Sequence, residues 1–328
     1  MLFFGSIAVN TQWEFSATAS SGVSTMLVDG QRWMVAGPNF DYTTCGRLMT
    51  YFSNSSGPAG INHGHYHYYA AFIPYSQAFP SFASPTLKGQ LTPLAVLFAG
   101  ILSSSWVRTV IPNAPLIAEF AQQLRTGGVS SAIGHRHYWN SDYSVLRRGD
   151  RNLALASSSK GFMASVRMVS TRTLDTECGN GEGLQGENLA DGVTNVYVTG
   201  REFENVFPVW NWRLLPGTIE VQKPNPTPLN CVDIYRDPAR GKRHSFVGGV
   251  SDGSIGCAVM DYRPRGRVHL HRSWFMLDRV VVVANIGIFV QNLSFCLSLC
   301  LCRSVSVCPP ACLPACLPVR LSQSMYLG

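Results

Sequence analysis

The stretch "VRMVSTRTLDTECGNGEGLQGENLADGVTNVYVTGREFENVFPVWNWRLLPGT" (residues 166–218) decides the fold of this chain. It contains short segments rich in Val, Thr and Tyr, which are typical of β-strands. Between them lies the loop "ECGNGEGLQGEN" (residues 177–188), with four glycines, three glutamates and two asparagines. Because Gly and Asn favour turns, this order predicts two strands joined by a polar crossing loop at the top of a sheet.

Two ligand-binding interpretations of the loop are excluded by the residues in and around it. Residues 181–186, "GEGLQG", match the G-x-G-x-x-G pattern of dinucleotide-binding loops, but acids, a glycine and a strand follow where a helix is required. Glu182 and Glu187 would also repel phosphates. A calcium-binding EF-hand is excluded because the sixth position counted from Asp175 is Asn180 and not glycine.

The sequence changes character near Gly128. Before it, residues 84–102 and 113–128 open with Ser or Asn cap residues near a proline, and the second has apolar residues spaced as on one helical face. After it, strand-like runs recur at intervals of roughly ten to twenty residues. These runs are YSVLR (143–147), FMASVRMVS (162–170), TNVYVTG (194–200), SFVGGV (245–250), GCAVMDY (256–262), SWFML (273–277) and RVVVV (279–283). The order predicts a helical domain, or its end, followed by an antiparallel β-sandwich.

The composition and charge of the chain indicate which kind of partner it binds. The chain has 328 residues, 46% of them hydrophobic and 14% charged, and this length is sufficient for two globular domains. Its formal net charge is +7, but Lys and Arg are scattered in short groups and form no tract. This distribution favours a basic groove for an acidic ligand over a nucleic-acid-binding arm.

Both ends of the chain are unusual. Six of the ten cysteines lie between Cys296 and Cys316, in a Cys-Leu-Pro-Ser tail without His or acidic partners, which favours low-complexity sequence over a zinc ribbon. Residues 280–302 are uncharged over a length that could span a bilayer, but polar residues interrupt them and their first half is β-branched. A strand followed by the tail is the favoured interpretation. The N-terminus lacks the basic region and cleavage site of a signal peptide.

Five blocks occur in an order that resembles the family 8 polysaccharide lyases, the hyaluronate, chondroitin and xanthan lyases. The blocks are FDYTTCGR (40–47), GHRHYWNSDYSVLRRGD (134–150), residues 166–218, FVGGVSDGSIGCAVMDY (246–262) and RSWFMLD (272–278). The resemblance covers roughly residues 25 to 288. It implies an α+β multidomain fold: the C-terminal remnant of an α/α toroid, then an antiparallel β-sandwich of the galactose-mutarotase-like supersandwich type. The expected domains are residues 1–128, 129–290 and a disordered tail at 291–328.

The reaction that the resemblance implies is β-elimination at a uronic acid. A base removes the C5 proton, an acid protonates the leaving C4 oxygen, and the charge that develops beside the carboxylate must be stabilised. By resemblance, Arg47 and Glu177 are catalytic residues and Asn180 binds substrate. Arg136 and Trp139 are further candidates for substrate binding, because arginine pairs with carboxylates and tryptophan packs on sugar faces. For each tryptophan, and for Trp210 and Trp212 in particular, the alternative interpretation is that the side chain packs in the core of the sandwich and does not bind sugar.

The chain departs from the family pattern upstream of Arg47. The family's catalytic His and Tyr precede that motif by some tens of residues, whereas the 46 residues before Arg47 hold no His and only Tyr42. Tyr51 also stands where a second arginine is expected. The cluster "NHGHYHYY" (residues 62–69) could supply a base and an acid, but it lies on the wrong side of Arg47; a surface loop or adventitious metal binding is the alternative. The chain as given is therefore expected to lack the base and acid.

Three functions remain open at this point. The first is a lyase acting on uronate-containing polysaccharides, presented here as an inactive or incomplete form. The second is a non-catalytic β-sandwich that binds acidic glycans, and the third is a membrane-tethered or nucleic-acid-binding protein. The first is preferred, with an acidic polysaccharide as partner, no cofactor, no metal, no nucleic acid and no membrane span. By resemblance the protein is expected to be an extracellular monomer.

Overall fold

The structure is a computed structural model, and the residues it describes form nine ranges. These are 10–36, 39–46, 133–149, 161–179, 183–200, 202–203, 206–219, 245–263 and 268–290. The two predicted helices at 84–102 and 113–128, the His-Tyr cluster at 62–69 and the tail at 291–328 lie outside them. Within the described ranges, Ala17–Thr25 is the one α-helix, α1. The toroid remnant therefore stays a prediction.

Ten strands account for most of the regular structure of the described residues. They are β1 (Val35–Ala36), β2 (Asn39–Phe40), β3 (Gly134–Tyr138), β4 (Tyr143–Arg148), β5 (Phe162–Arg167), β6 (Val193–Tyr197), β7 (Val247–Ser251), β8 (Gly256–Tyr262), β9 (Val268–Met276) and β10 (Val281–Val290). Strands β3, β4, β5 and β6 form one four-stranded sheet in that order, and β10, β9, β8 and β7 form a second. The predicted antiparallel sandwich is confirmed by these two sheets. β1 and β2 pair only with each other.

The second sheet is a simple antiparallel meander. Strand β8 pairs with β9 so that Asp261 lies opposite His271 and Met260 opposite Arg272. Alternate residues of these two strands point to the interior, where Met260, Tyr262, Leu270, Trp274 and Met276 are buried. The other face of the sheet includes the more exposed positions Val250, Phe275 and Ile286. The sheet therefore has one buried face and one face that is open in the described structure.

Strand β3, which the sequence did not predict, packs on the second sheet through its histidines. His135 is fully buried, and a Cβ atom added to Gly256 would lie 2.0 Å from its Cε1. A Cβ atom added to Gly249 would lie 2.7 Å from Nδ1 of His137. The backbones are joined as well, because the His135 amide donates to the carbonyl of Gly253 at 3.0 Å. Small residues on β7 and β8 thus make room for two imidazoles.

Arg272 on β9 ties two loops to the sheet from inside the core. Its side chain donates to Oδ1 of Asn285 at 3.0 Å, to the carbonyl of Asp191 at 3.0 Å and to the carbonyl of Gly217. The guanidinium also lies 4.8 Å from the centre of the Trp274 ring. Burial lowers the pKa of Arg272 to about 10, so the group still carries its charge at neutral pH.

Gly192 is required beside this arginine. Its φ of +77° is unfavourable for residues with a side chain, and an added Cβ atom would lie 2.6 Å from Nη1 of Arg272. The "DG" and "PGT" elements of residues 166–218 therefore have a structural role: they present two backbone carbonyls to one buried cation.

The chain divides into two compact units. One comprises Met1–Gly134, Arg147–Ala164 and Val196–Trp210, and the other His135–Leu146, Ser165–Asn195 and Asn211–Gly328. In the first unit, Tyr42 is almost fully buried and its ring centre lies 5.0 Å from that of Phe203, 5.5 Å from that of Phe207 and 5.4 Å from that of Trp210. Asp41 caps the short 3-10 helix Tyr42–Thr44 by accepting from the Thr43 amide at 3.0 Å. The block FDYTTCGR thus contributes an aromatic anchor.

Residues 281–290 form strand β10, as the favoured interpretation of the uncharged run at 280–302 predicts. Among the described residues, the structure contains no helix of the length and apolar character needed to cross a membrane. The remainder of that run lies outside the described residues.

Candidate functional site

The loop that carries Glu177 is closed by a glycine. Gly183 has a φ of +76°, and a Cβ atom added to it would lie 2.1 Å from the carbonyl oxygen of Glu177. Any side chain at this position would push the two ends of the loop apart. The Gly186 amide then donates to the carbonyl of Gly183 at 3.1 Å and begins the turn that leads to β6. The glycines of the loop therefore serve close backbone approach.

Glu177 is held at the surface next to a covalent anchor. Its residue is exposed, whereas Cys178, which follows it, is fully buried and disulfide-bonded. The neighbouring Thr176 is buried and donates from its hydroxyl to the carbonyl of Glu177 at 3.3 Å. The backbone on both sides is thus fixed while the carboxylate faces outward. Asn180 and Arg47, the other residues expected in the cleft from the resemblance, lie outside the described residues.

Trp139 is the most open of the predicted sugar-binding residues that the structure describes. It occupies the 3-10 helix Trp139–Ser141 between β3 and β4, and 56% of its surface is exposed. The guanidinium carbon of Arg172 lies 4.1 Å from the centre of the indole ring. Gly248 on β7 approaches the ring, since a Cβ atom there would lie 3.0 Å from Cζ3 of Trp139. The indole ring of Trp139 therefore packs against Arg172 and Gly248 and still exposes a large aromatic surface to solvent.

Arg172 is fixed in this position by a buried aspartate. Asp142 is fully buried and adopts a left-handed conformation with φ 48° at the end of the helix that carries Trp139. Its carboxylate accepts from the Arg172 guanidinium, from the Ser170 hydroxyl and, at 2.8 Å, from the Thr173 hydroxyl. Arg172 also donates to the carbonyl of Val247 at 2.8 Å. The buried carboxylate of Asp142 thus fixes both the loop after β5 and the Arg172 guanidinium that packs on the indole.

His137 lies near this network and packs against Gly249 of β7. Its Nδ1 is 2.6 Å from the Ser144 hydroxyl. Burial lowers the pKa of His137, Asp142 acts in the opposite direction and Arg172 adds to the lowering. The imidazole is therefore neutral at pH 7 and contributes to packing of the sandwich.

Arg136, the remaining predicted binding residue, is half-buried on β3. Successive residues of a strand face opposite sides, so Arg136 shares a face with Tyr138 and not with His135 or His137. It lies on a different element from both Trp139 and Glu177. The structure therefore brings Trp139 and Arg172 into contact. Arg136 lies on strand β3, and Glu177 lies on a loop.

Several other residues of the central stretch are structural. Glu187 is buried and pairs with Arg213, whose Nη2 lies 3.4 Å from its Oε2. Trp212 is also buried, and Trp210 stacks on Phe203 with ring centres 5.4 Å apart. Trp212 is therefore buried, as the core interpretation expects, whereas Trp210 is half-buried and packs on Phe203. Glu187 is thus paired inside, and Glu177 is the exposed glutamate of the described part of the loop.

The sandwich matches a known family. Residues 133–294 match the super-sandwich domain of polysaccharide lyase family 8. These residues therefore form a domain of the polysaccharide lyase family 8 super-sandwich type. Chondroitinase-AC of Pedobacter heparinus is 33% identical over 156 residues, which are 47% of this chain and 20% of that protein. The match thus spans about a fifth of the length of that relative.

Solved structures of this lyase family share the fold. A mutant of chondroitin AC lyase from Streptomyces coelicolor A3 superimposes with a TM-score of 0.68 at 20% identity, over 89% of this chain and 39% of that one. Xanthan lyase from Paenibacillus gives a TM-score of 0.66 at 20% identity, over 89% of this chain and 26% of that one. At this level of identity the likeness establishes the fold.

Arg172, Asp142 and the disulfide at Cys178 are the features of the site that sequence reasoning missed. Arg172 and Asp142 are separated by 30 residues. The one local signal was "NSD" before a strand, because Asn and Asp tolerate the left-handed conformation that Asp142 adopts. The disulfide of Cys178 could not be paired from spacing alone.

Proposed function

We propose that this chain acts in the cleavage of uronic-acid-containing polysaccharides by β-elimination, with its sandwich supplying one wall of an acidic-glycan cleft. The match of residues 133–294 to the super-sandwich domain of polysaccharide lyase family 8 supports this reaction class. The observation that carries the binding role is Trp139, an exposed indole whose position is fixed by Arg172 and the buried Asp142. An aromatic platform with an adjacent cation suits a polymer of sugars that bear carboxylates or sulfates.

Each proposed residue has a role that follows from the charges of the reaction. Glu177 polarises or orients the groups that act on the C5 proton, and its outward position allows this. Arg47 stabilises the negative charge that builds on the uronate carboxylate, and Asn180 hydrogen-bonds the substrate. Trp139 packs on a sugar face and Arg136 pairs with an acidic group of the polymer. No step requires a cofactor.

The disulfide at Cys178 supports an extracellular location. Disulfides persist in oxidising compartments and are uncommon in the cytosol. The proposed substrates are large polyanionic polysaccharides, which a protein would encounter outside the cell. We therefore retain extracellular action as part of the proposal, together with a monomeric state.

The test of the lyase proposal is the ultraviolet absorbance of the 4,5-unsaturated uronate product. Chondroitin sulfate, hyaluronan and xanthan are each incubated with the 328-residue chain and, separately, with a chain joined at Met1 to a complete family 8 toroid. The extended chain is expected to raise the absorbance, and Glu177→Gln in that chain to lower the rate by at least about 100-fold. Glu14→Gln, at an exposed glutamate of the N-terminal segment, is the matched control.

The 328-residue chain itself is expected to bind these polymers without turnover. The reason is that the His and Tyr implied by the resemblance have no counterpart before Arg47. Turnover by this chain would contradict that expectation and direct attention to the cluster at 62–69. Absence of product from the extended chain, with binding retained, would favour the alternative of a non-catalytic glycan-binding sandwich.

A further inference from the structure

A second cluster of ligating side chains lies on the more exposed face of the β8–β9 hairpin. Asp261 on β8 is directly opposite His271 on β9, and His269 is two residues from His271 on the same strand. Residues two apart on a strand share a face, and opposed residues of an antiparallel pair share it too. The register therefore places one carboxylate and two imidazoles on one side of the sheet.

The donor atoms of this cluster converge. Nε2 of His269 lies 2.8 Å from Oδ1 of Asp261, and Nδ1 of His271 lies 3.8 Å from the same oxygen. All three donor atoms lie within 4.8 Å of one another. The two rings meet edge to face with centres 5.1 Å apart, so both can turn a nitrogen toward one point.

These separations suit a small divalent metal. Tetrahedral Zn²⁺ with bonds of about 2.0 to 2.1 Å requires ligand atoms about 3.3 Å apart. The two distances to Asp261 Oδ1 lie about 0.5 Å on either side of that value, so small movements of the two imidazole nitrogens would bring both distances to it. Two imidazoles with one carboxylate are a donor set that zinc favours and that calcium and magnesium do not.

The environment of Asp261 also favours a site. The residue is buried; its Oδ2 accepts from Nη2 of Arg263 at 3.0 Å, and its Oδ1, which faces the histidines, also accepts from Nε of Arg263 at the longer distance of 3.5 Å. Arg263 thus orients the carboxylate in the manner of an outer partner of a metal ligand, although its charge also opposes that of a cation. His271 is about half exposed, so an ion can enter from solvent.

We propose that Asp261, His269 and His271 form a zinc site that joins β8 to β9 and keeps one coordination position open. The site is separate from Glu177 and Trp139 and does not rest on the proposed lyase activity. Three protein ligands and one open position leave room for water or for an anionic group of a ligand. The expected stoichiometry is one Zn²⁺ per chain at this hairpin.

The test is zinc binding by the untagged 328-residue chain, measured by isothermal titration calorimetry after treatment with a chelator. The background protein carries H63Q, H65Q and H67Q, because those histidines could bind zinc by themselves. We expect this background to bind one Zn²⁺ and H271Q in it to lose affinity by at least about 100-fold. D261N, which preserves shape, is expected to lose affinity to a similar extent.

Visible absorption of Co²⁺ provides a readout of geometry. Tetrahedral Co²⁺ absorbs strongly in the visible range, and the band is expected in the background protein and not in H271Q. Far-ultraviolet circular dichroism establishes that each variant is folded; H271Q changes a half-exposed side chain and is expected to fold. Failure of the background protein to bind zinc, or equal zinc affinity in the background protein and folded H271Q, would overturn the proposal.

Discussion

Replacing the buried Arg272 by methionine should strongly destabilise the sandwich. The side chain makes three hydrogen bonds, two of them to the backbone carbonyls of Asp191 and Gly217, and lies over the Trp274 ring. Methionine fills much of the space but leaves those carbonyls without a donor, at about 1 to 3 kcal/mol each. The apolar surface of methionine recovers about 1 kcal/mol. The expected loss in free energy of unfolding is therefore about 1 to 5 kcal/mol, centred near about 3 kcal/mol.

Urea unfolding followed by tryptophan fluorescence measures this loss. A decrease of about 3 kcal/mol corresponds to a midpoint lowered by roughly 1 to 2 M. Arg279→Met is the matched control, because the Arg279 side chain is 90% exposed and its loss should change stability by less than about 0.5 kcal/mol. Hydrogen exchange should also accelerate at residues 191–194 and 216–218. A loss below about 1 kcal/mol for R272M, or unchanged exchange at both segments, would refute the role assigned to Arg272.

Two further substitutions test the loops around the sandwich. Asp142→Asn keeps a residue that tolerates a positive φ but removes the charge that holds Arg172. We therefore expect the free energy of unfolding, measured in urea, to fall by about 2 kcal/mol. An effect equal to that of Asp278→Asn, at an exposed aspartate, would contradict this. Burial acts to raise the pKa of Glu202, but hydrogen bonds from the amides of Thr199 and Val198 to its carboxylate outweigh that effect and lower the pKa. Since a lowered carboxylate pKa stabilises the fold above the unfolded pKa and loses that effect as pH falls through the folded pKa, Glu202→Gln should cost about 1 kcal/mol at pH 7, after allowance for solvent screening, and much less at a strongly acidic pH at which the carboxylate is protonated in both states. A cost that is the same at both pH values would exclude this origin.

The sheet strands were predictable where their pattern is local. GCAVMDY coincides with β8 because its residues alternate between a buried and a more exposed face. The runs at 143–147, 162–170, 194–200, 245–250, 273–277 and 279–283 each overlap a strand, with shifted ends. Strand β3 was missed because "GHRHY" has no β-branched residue. His135 is buried only because Gly256, more than 100 residues later, leaves space for it, and no local pattern contains that information.

The site was predictable only through the resemblance. Glu177 was singled out by its place in a recognised block, and the structure adds the reason for its exposure: the closure by Gly183 and the buried Cys178. The "DG" and "PGT" elements lie in one of the blocks that carry the resemblance, but the reason for their backbone geometry is Arg272, which lies 81 residues from Asp191 and 55 from Gly217. Buried polar networks of this kind join distant segments, and composition or periodicity cannot reveal them.

Binding of a defined chondroitin sulfate oligosaccharide, measured by isothermal titration calorimetry, tests the proposed glycan cleft most directly. If the indole of Trp139 is a sugar platform, Trp139→Ala should weaken binding about tenfold, and Asp142→Asn should weaken it as well by releasing Arg172. Trp13→Ala removes a still more exposed indole from the N-terminal segment and should leave the affinity unchanged. Equal affinities for the wild-type chain and Trp139→Ala, or no binding by the wild-type chain, would contradict the account.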